Sequence, residues 1–131
     1  MKEITVQTRS RFEMTDITAA VQKVIREEKI ASGIGLVYTP HTTAAVTINE
    51  NADPDVPRDM LAALDRAVPL SANYRHSEGN SAAHVKSSLV GASETVIIEN
   101  GRLVLGTWQS IFFCEFDGPR TRKVIIKFIT A

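Results

Sequence analysis

Three histidines, His41, His76 and His84, are the side chains of this sequence best suited to proton or metal chemistry near neutral pH. Three neutral imidazoles plus a water form a known open zinc arrangement, in which the metal-bound water becomes a nucleophile or the metal meets a leaving group. His76 and His84 lie eight residues apart on what read as different elements. Spacing alone therefore leaves two readings open, one shared metal or separate hydrogen-bonded histidines.

A second group is acidic. Glu50, Asp53, Asp55 and Asp59 form the densest carboxylate cluster, with oxygen ligands suited to Mg²⁺ held against a phosphate-bearing substrate. Acids at a helix N-terminus also complement its dipole, and Asp55 and Asp59 fit that role. Glu50, Asn51 and Asp53 precede the helix and keep the functional assignment. Among the cations, Lys86 either snorkels to water or is held to meet an anion. Gly118, Arg120 and Arg122 offer a turn and guanidinium groups for phosphate, or charge at a hairpin end. Trp108 and Gln109 line a pocket or pack at a strand start. Glu115 stands among Ile111, Phe113 and Phe116; it is paired, wet, or on the solvent side of an edge strand. Cys114, with no basic neighbour to lower its pKa, reads as inert core.

The element that must position most of these groups is a helix between Asn80, a good N-cap, and Gly91, which can turn left-handed at its end. Ala82, Val85 and Leu89 form its expected core stripe, leaving His84 on the opposite face with Ser81, Ser87 and Ser88. Upstream, alternation predicts strands over 4–8, 33–38 and 44–48. Thr15 or Asp16 is expected to cap a helix carrying Ile17, Val21, Val24 and Ile25. Asp55 caps another, with Pro57 in its first turn, Leu61, Leu64 and Val68 as buried stripe and Pro69 as stop. Downstream, strands over 94–99 and 102–105 flank the hairpin signal Asn100-Gly101, followed by strands over 111–116 and 123–129. Roughly six or seven strands and three helices, with strand pairs mainly adjacent in sequence, predict an α+β fold with a mainly antiparallel sheet.

At 131 residues the chain reads as one domain, 1–131, able to bury a core. Fifteen basic residues balance fifteen acidic ones, with no basic block, so nucleic acid is not implied. No apolar run approaches the roughly 18 residues of a membrane span, and the first residues are too polar for a signal peptide. With a single cysteine, which can form no internal disulfide, a soluble cytoplasmic protein is expected. Walker, G-x-S-x-G, C-x-x-C and H-E-x-x-H motifs are absent.

The segments Pro40-His41-Thr42-Thr43-Ala44-Ala45, Asn49-Glu50-Asn51-Ala52-Asp53-Pro54-Asp55-Val56 and His76-Ser77-Glu78-Gly79-Asn80 running into Ala83-His84-Val85-Lys86 resemble the YjbQ family, also called UPF0047. So do Gly101-Arg102-Leu103-Val104-Leu105-Gly106-Thr107-Trp108-Gln109 and Glu115-Phe116-Asp117-Gly118-Pro119-Arg120. Some relatives carry a further histidine where this chain has Ala82, so that ligand is absent here. The resemblance implies an α+β antiparallel sandwich that assembles as a homotrimer, with pockets near the subunit contacts. It also implies secondary thiamine-phosphate synthase activity, joining a pyrimidine diphosphate to a thiazole phosphate. Because His41, His76 and His84 all fall inside matched segments, it favours the three-histidine site.

Two classes of function follow. In an enzyme on a phosphorylated small molecule, a divalent metal (zinc at the histidines, or magnesium arriving with pyrophosphate) neutralises the leaving group. Lys86 and Arg120 would bind phosphate oxygens, Glu50 or Asp53 would hold the metal or orient substrate, and Asn51, Asn80, Ser88 and Trp108 would line the substrate site. A metal-dependent hydrolase is a sub-case. The other class is a trimer that binds a metabolite or metal without turnover.

Overall fold

A computed structural model describes residues 1–131. Eight strands and three helices follow in the order β1 (Lys2–Gln7), β2 (Glu13–Asp16), α1 (Thr18–Glu27), β3 (Gly33–Tyr38), β4 (Ala44–Glu50), α2 (Asp55–Ala67), α3 (Ser81–Val90), β5 (Ser93–Glu99), β6 (Arg102–Val104), β7 (Gln109–Glu115) and β8 (Thr121–Thr130). They build a five-stranded sheet, β1-β8-β3-β5-β6, and a three-stranded sheet, β2-β7-β4. Every pairing is antiparallel, so the expected α+β class holds. No helix is long and apolar enough to cross a membrane.

The expected local pairing does not hold. Only β5 and β6 are both sequence neighbours and partners, and β8 closes the chain by lying between β1 and β3. Local alternation specifies which face of a strand is buried, whereas its partner is chosen by the packing of the whole sheet. Strand β2 was not anticipated either. Its four residues are too few to display a period, and it is held by pairing with β7.

The main core lies between the sheets. Val37, Val96, Ile98, Val124 and Ile126 of the larger sheet meet Ala44, Val46, Ile111 and Phe113 of the smaller, with Val21, Val24 and Ile25 of α1 closing it. Strand β7 explains its own near-continuous apolar run. It is central, and while Ile111 and Phe113 face this core, Phe112 and Cys114 join Ala45, Phe116 and Ala83 in a second cluster beneath α2 and α3. A strand buried on both faces cannot alternate. Burial of each such phenylalanine contributes about 1.5–3 kcal/mol.

Three helix expectations need correction. The N-cap position of α1 belongs to Ile17. Thr15 lies in β2, and Asp16 contributes only by accepting from the Thr18 N–H at 2.9 Å. Helix α2 begins at Asp55 with Pro54 in the cap position, and no residue within it is fully buried. Val68, just beyond, is buried, whereas Leu61 and Leu64 are only partly so. Helix α3 has the expected ends but is turned on its axis: Val85 and Leu89 are 42% and 65% exposed, while Ala82, Ala83, Lys86 and Ser87 are buried. The cause is close approach to β4, where the Ser87 hydroxyl donates to the Ala44 carbonyl at 2.6 Å and Ala83 meets Ala45; the small size of both side chains permits it.

The Asn100-Gly101 hairpin forms as expected, both residues at positive φ (52° and 74°). Across from it, Gln22 of α1 donates from Nε2 to the Gly101 carbonyl at 2.9 Å and accepts from the Leu103 N–H at 3.0 Å.

Candidate functional site

Residues 39–43 link the larger sheet to the smaller and carry His41 across one end of the sandwich. The link is pinned at Thr39, whose N–H donates to the Ala92 carbonyl at 2.8 Å and whose hydroxyl donates to the Lys123 carbonyl at 3.2 Å. The Lys123 N–H then donates to His41 Nε2 at 2.9 Å. An imidazole nitrogen that accepts cannot also carry a proton, so the neutral ring holds its hydrogen on Nδ1. Burial, the main cause, and the nearby Arg122, Arg120 and Lys123 charges lower the His41 pKa, against an opposing pull from Glu115.

Beneath His41 lies a buried ion pair. Glu115 is fully buried and accepts from Arg122 Nε at 2.8 Å and from Arg122 Nη2, from the Thr8 hydroxyl at 2.8 Å, and from the Asp117 N–H at 3.0 Å. Arg122 Nη2 also donates to Thr43 Oγ1 at 2.8 Å. The edge-strand reading of Glu115 is therefore wrong, because β7 lies between β2 and β4. Arg122 is not hairpin-end charge but a buried guanidinium. With its oxygens saturated the pair is tolerable, and removing either partner alone costs about 3–5 kcal/mol.

A second polar chain sits alongside. Asp117 accepts from Arg120 Nη2 at 2.9 Å and from Asn80 Nδ2 at 2.9 Å, both at Oδ2, and its carbonyl takes Arg120 Nε at 2.8 Å. Asn80 occupies the N-cap position of α3, but its side chain makes no cap bond. It is committed to Asp117 instead.

Between these networks lies a cavity of about 280 Å³, with His41, Glu78, Asn80, His84, Arg120 and Arg122 in its wall. A second depression of about 400 Å³ shares His41 and His84 and adds Ser87 and Ser88. The fold thus brings together His41, His84, Asn80, Arg120 and Ser88 from the sequence-based list.

It does not bring the others. Lys86, on the buried face of α3, points away, with Nζ 3.2 Å from Asp65 Oδ1 and 4.2 Å from the centroid of the Phe12 ring. It holds α2 and α3 together and reaches neither depression, so its expected catalytic place is corrected. Glu50, Asn51, Asp53 and Trp108 gather at the far end of β4, six residues from Ala44, roughly 20 Å along an extended strand. There Asn51 Nδ2 donates to Asp16 Oδ2 at 2.9 Å, and its N–H to the Trp108 carbonyl at 3.1 Å. Asp53 Oδ1 is occupied by the Asp55 N–H at 2.9 Å. Burial raises the Asp16 pKa, but hydrogen bonds from Thr18, Asn51 and Ser110 outweigh it and the net shift is downward.

The histidines do not form one metal centre within the chain. His41 has spent Nε2 on Lys123, and His76 meets His84 edge to face with centroids 5.6 Å apart. No three His, Cys, Asp or Glu side chains group so as to hold a metal ion. A shared three-histidine zinc therefore does not fit these residues as they stand.

Sequence reading missed Asp117 and Thr43, and left Glu115 ambiguous. The available signal was a carboxylate on each side of Phe116 just before Gly118-Pro119. Gly118 is tightly hemmed, since a Cβ there would overlap the Ser10 carbonyl and the Glu115 side chain.

The family model described as UPF0047 protein YjbQ-like matches residues 2–131. The UPF0047 protein YugU of Bacillus subtilis is 59% identical over 97% of each chain. A UPF0047 protein of Methanocaldococcus jannaschii is 52% identical over 95% of this chain and 90% of its own. A crystal structure of a YjbQ/UPF0047 family protein from Clostridium acetobutylicum superimposes with a TM-score of 0.96 at 53% identity, covering 98% of this chain and all of that one. The likeness runs through every strand and helix described above, and the chain belongs to the YjbQ-like UPF0047 family.

Proposed function

We propose that the cavity between His41, Asn80, His84 and Arg120 binds the phosphate of a small metabolite, and that the protein is a cytoplasmic transferase of the thiamine-phosphate synthase type. The observation that carries this is that Arg120 and His41, whose ring hydrogen sits on Nδ1, line one opening together with Asn80 at the N-cap position of α3. Free N–H groups and the positive end of the dipole favour an anion at a helix start. Arg120 is oriented by Asp117, and the Glu115–Arg122 pair fixes the wall behind it. These residues bind and orient a phosphate and donate hydrogen bonds as charge moves onto its oxygens. A divalent metal belongs to this reading only as a companion of the substrate's diphosphate, and no step above runs through it.

The test is thiamine-phosphate formation from the pyrimidine diphosphate and thiazole phosphate. His41→Ala and Arg120→Ala are each expected to lower kcat/KM by about 10²-fold or more. Full activity in both folded variants sinks the assignment.

We propose in addition that the working unit is a homotrimer. Within one chain the acids of β4 and the histidines lie at opposite ends, so a site using both needs a second copy. Ile129, Ile34, Ile97 and Val104 support assembly: they stand in one directly paired row across β8, β3, β5 and β6, all exposed.

One observation favours binding without turnover. Both cavity arginines are already ion-paired, to Asp117 and Glu115, which leaves little uncompensated positive charge for a departing pyrophosphate. Phosphate binding by calorimetry with no turnover of either substrate would decide for it.

A further inference from the structure

Asn80 breaks two local rules at once. It holds the N-cap position of α3, where an asparagine oxygen ordinarily accepts from a free N–H of the first turn, yet it makes no cap bond. Its Oδ1 is instead buried with no hydrogen-bond partner, and no other buried side-chain nitrogen or oxygen is left in that state. An acceptor taken from water without a donor is costly. Both costs fall on a residue in the cavity wall beside Arg120, and proteins accept such local costs where function demands them.

What the amide holds instead is Asp117, since Nδ2 donates to Asp117 Oδ2 at 2.9 Å. Asp117 in turn is all that holds Arg120. Every side-chain hydrogen bond of Arg120 goes to it, Nη2 to Oδ2 at 2.9 Å and Nε to the carbonyl at 2.8 Å. The arginine side chain is otherwise 52% exposed, so its aim is set by Asp117 alone. The other bonds of Asp117 run to its own stretch of chain, to Glu115 two residues back and Arg120 three residues on. Asn80, 37 residues away, is what ties the carboxylate to α3. Turning Oδ1 onto the helix would give α3 its cap and release Asp117.

Resting on the phosphate reading of this cavity, we infer that Asn80 is a positioning residue: it forgoes the helix cap to hold Asp117, and through Asp117 it aims the Arg120 guanidinium at the phosphate. Its effect on binding passes through Arg120 and not through a contact of its own with the ligand.

The experiment is a double-mutant cycle on the full chain, read by titration calorimetry with inorganic phosphate and by thermal unfolding without it. Asn80→Ala is expected to weaken phosphate binding about tenfold, the scale on which partners behind a binding group act at metal sites. Arg120→Lys keeps the charge but not the fork that Asp117 grips. In that background Asn80→Ala should change the affinity by less than about twofold, because the group it aims is gone. Asn80→Ser separates positioning from a structural role. Serine is a good N-cap but too short to keep the bond to Asp117, so the unfolding midpoint should equal or exceed that of wild type while phosphate binding stays weak. Wild-type affinity in both Asn80 variants overturns the positioning role and leaves the phosphate reading standing. So does a loss that persists in full beside Arg120→Lys, or one matched in both variants by a fallen midpoint. No phosphate binding by wild type overturns the phosphate reading itself.

Discussion

His41 shows how a single residue can be set by a neighbour's backbone. Its Nε2 accepts from the Lys123 N–H, a bond that only the unprotonated nitrogen can make. Burial and then the arginines lower its pKa when folded. The unfolded chain, with an ordinary value of about 6.5, binds that proton more readily. Stability from this group is therefore complete above the unfolded value and is lost as pH falls through the lower folded one. Denaturant midpoints are expected to fall on acidification below about pH 6.5, less steeply in His41→Gln, which retains an acceptor but does not titrate. An identical slope in the two proteins would remove His41 from the account. Nothing in Pro40-His41-Thr42 reveals this bond, because its donor lies 82 residues on. The buried Glu115–Arg122 pair was hidden differently: the sequence displays a carboxylate among phenylalanines but not its partner seven residues along.

At the scale of elements, α3 divides what was legible from what was not. Asn80 and Gly91 marked its ends, since caps and left-handed glycines are local chemistry. Its buried face was misread because large apolar residues usually face the core, and here small ones do. Lys86 lies on that face with its side chain 2% exposed, yet its partner Asp65 is 51% exposed. Removing the lysine therefore strands no buried charge. Lys86→Met should change unfolding free energy by less than about 1.5 kcal/mol in either direction and leave phosphate binding intact. A large loss of binding with the fold preserved would return Lys86 to the site. The Asn100-Gly101 hairpin was legible for the same reason as the helix ends; β2 and the pairing of β8 were not, because long-range partners leave no short-range mark.

For the whole molecule, the outer face of the five-stranded sheet carries the row Ile129–Ile34–Ile97–Val104, with exposed Leu36 one row away. Groups of apolar side chains this large commonly mark contact surfaces. In the proposed trimer this face is buried, so Ile34→Lys combined with Ile97→Lys should reduce the mass measured by light scattering from three chains to one. A trimer that survives both charges would place the contact elsewhere. The sequence indicated α+β character through its two periodicities, but not that these isoleucines would align.

The Gln22 side chain has a consequence for solubility. Strand β6 pairs only with β5 and ends its sheet. The Gly101 carbonyl in the turn before it and its outward Leu103 N–H are taken by the two ends of one glutamine amide. That amide stands where the peptide group of an invading strand would dock. An open sheet edge templates aggregation, and here one side chain from α1 acts as a chain terminator at the β6 edge, blocking growth there without covering the strand.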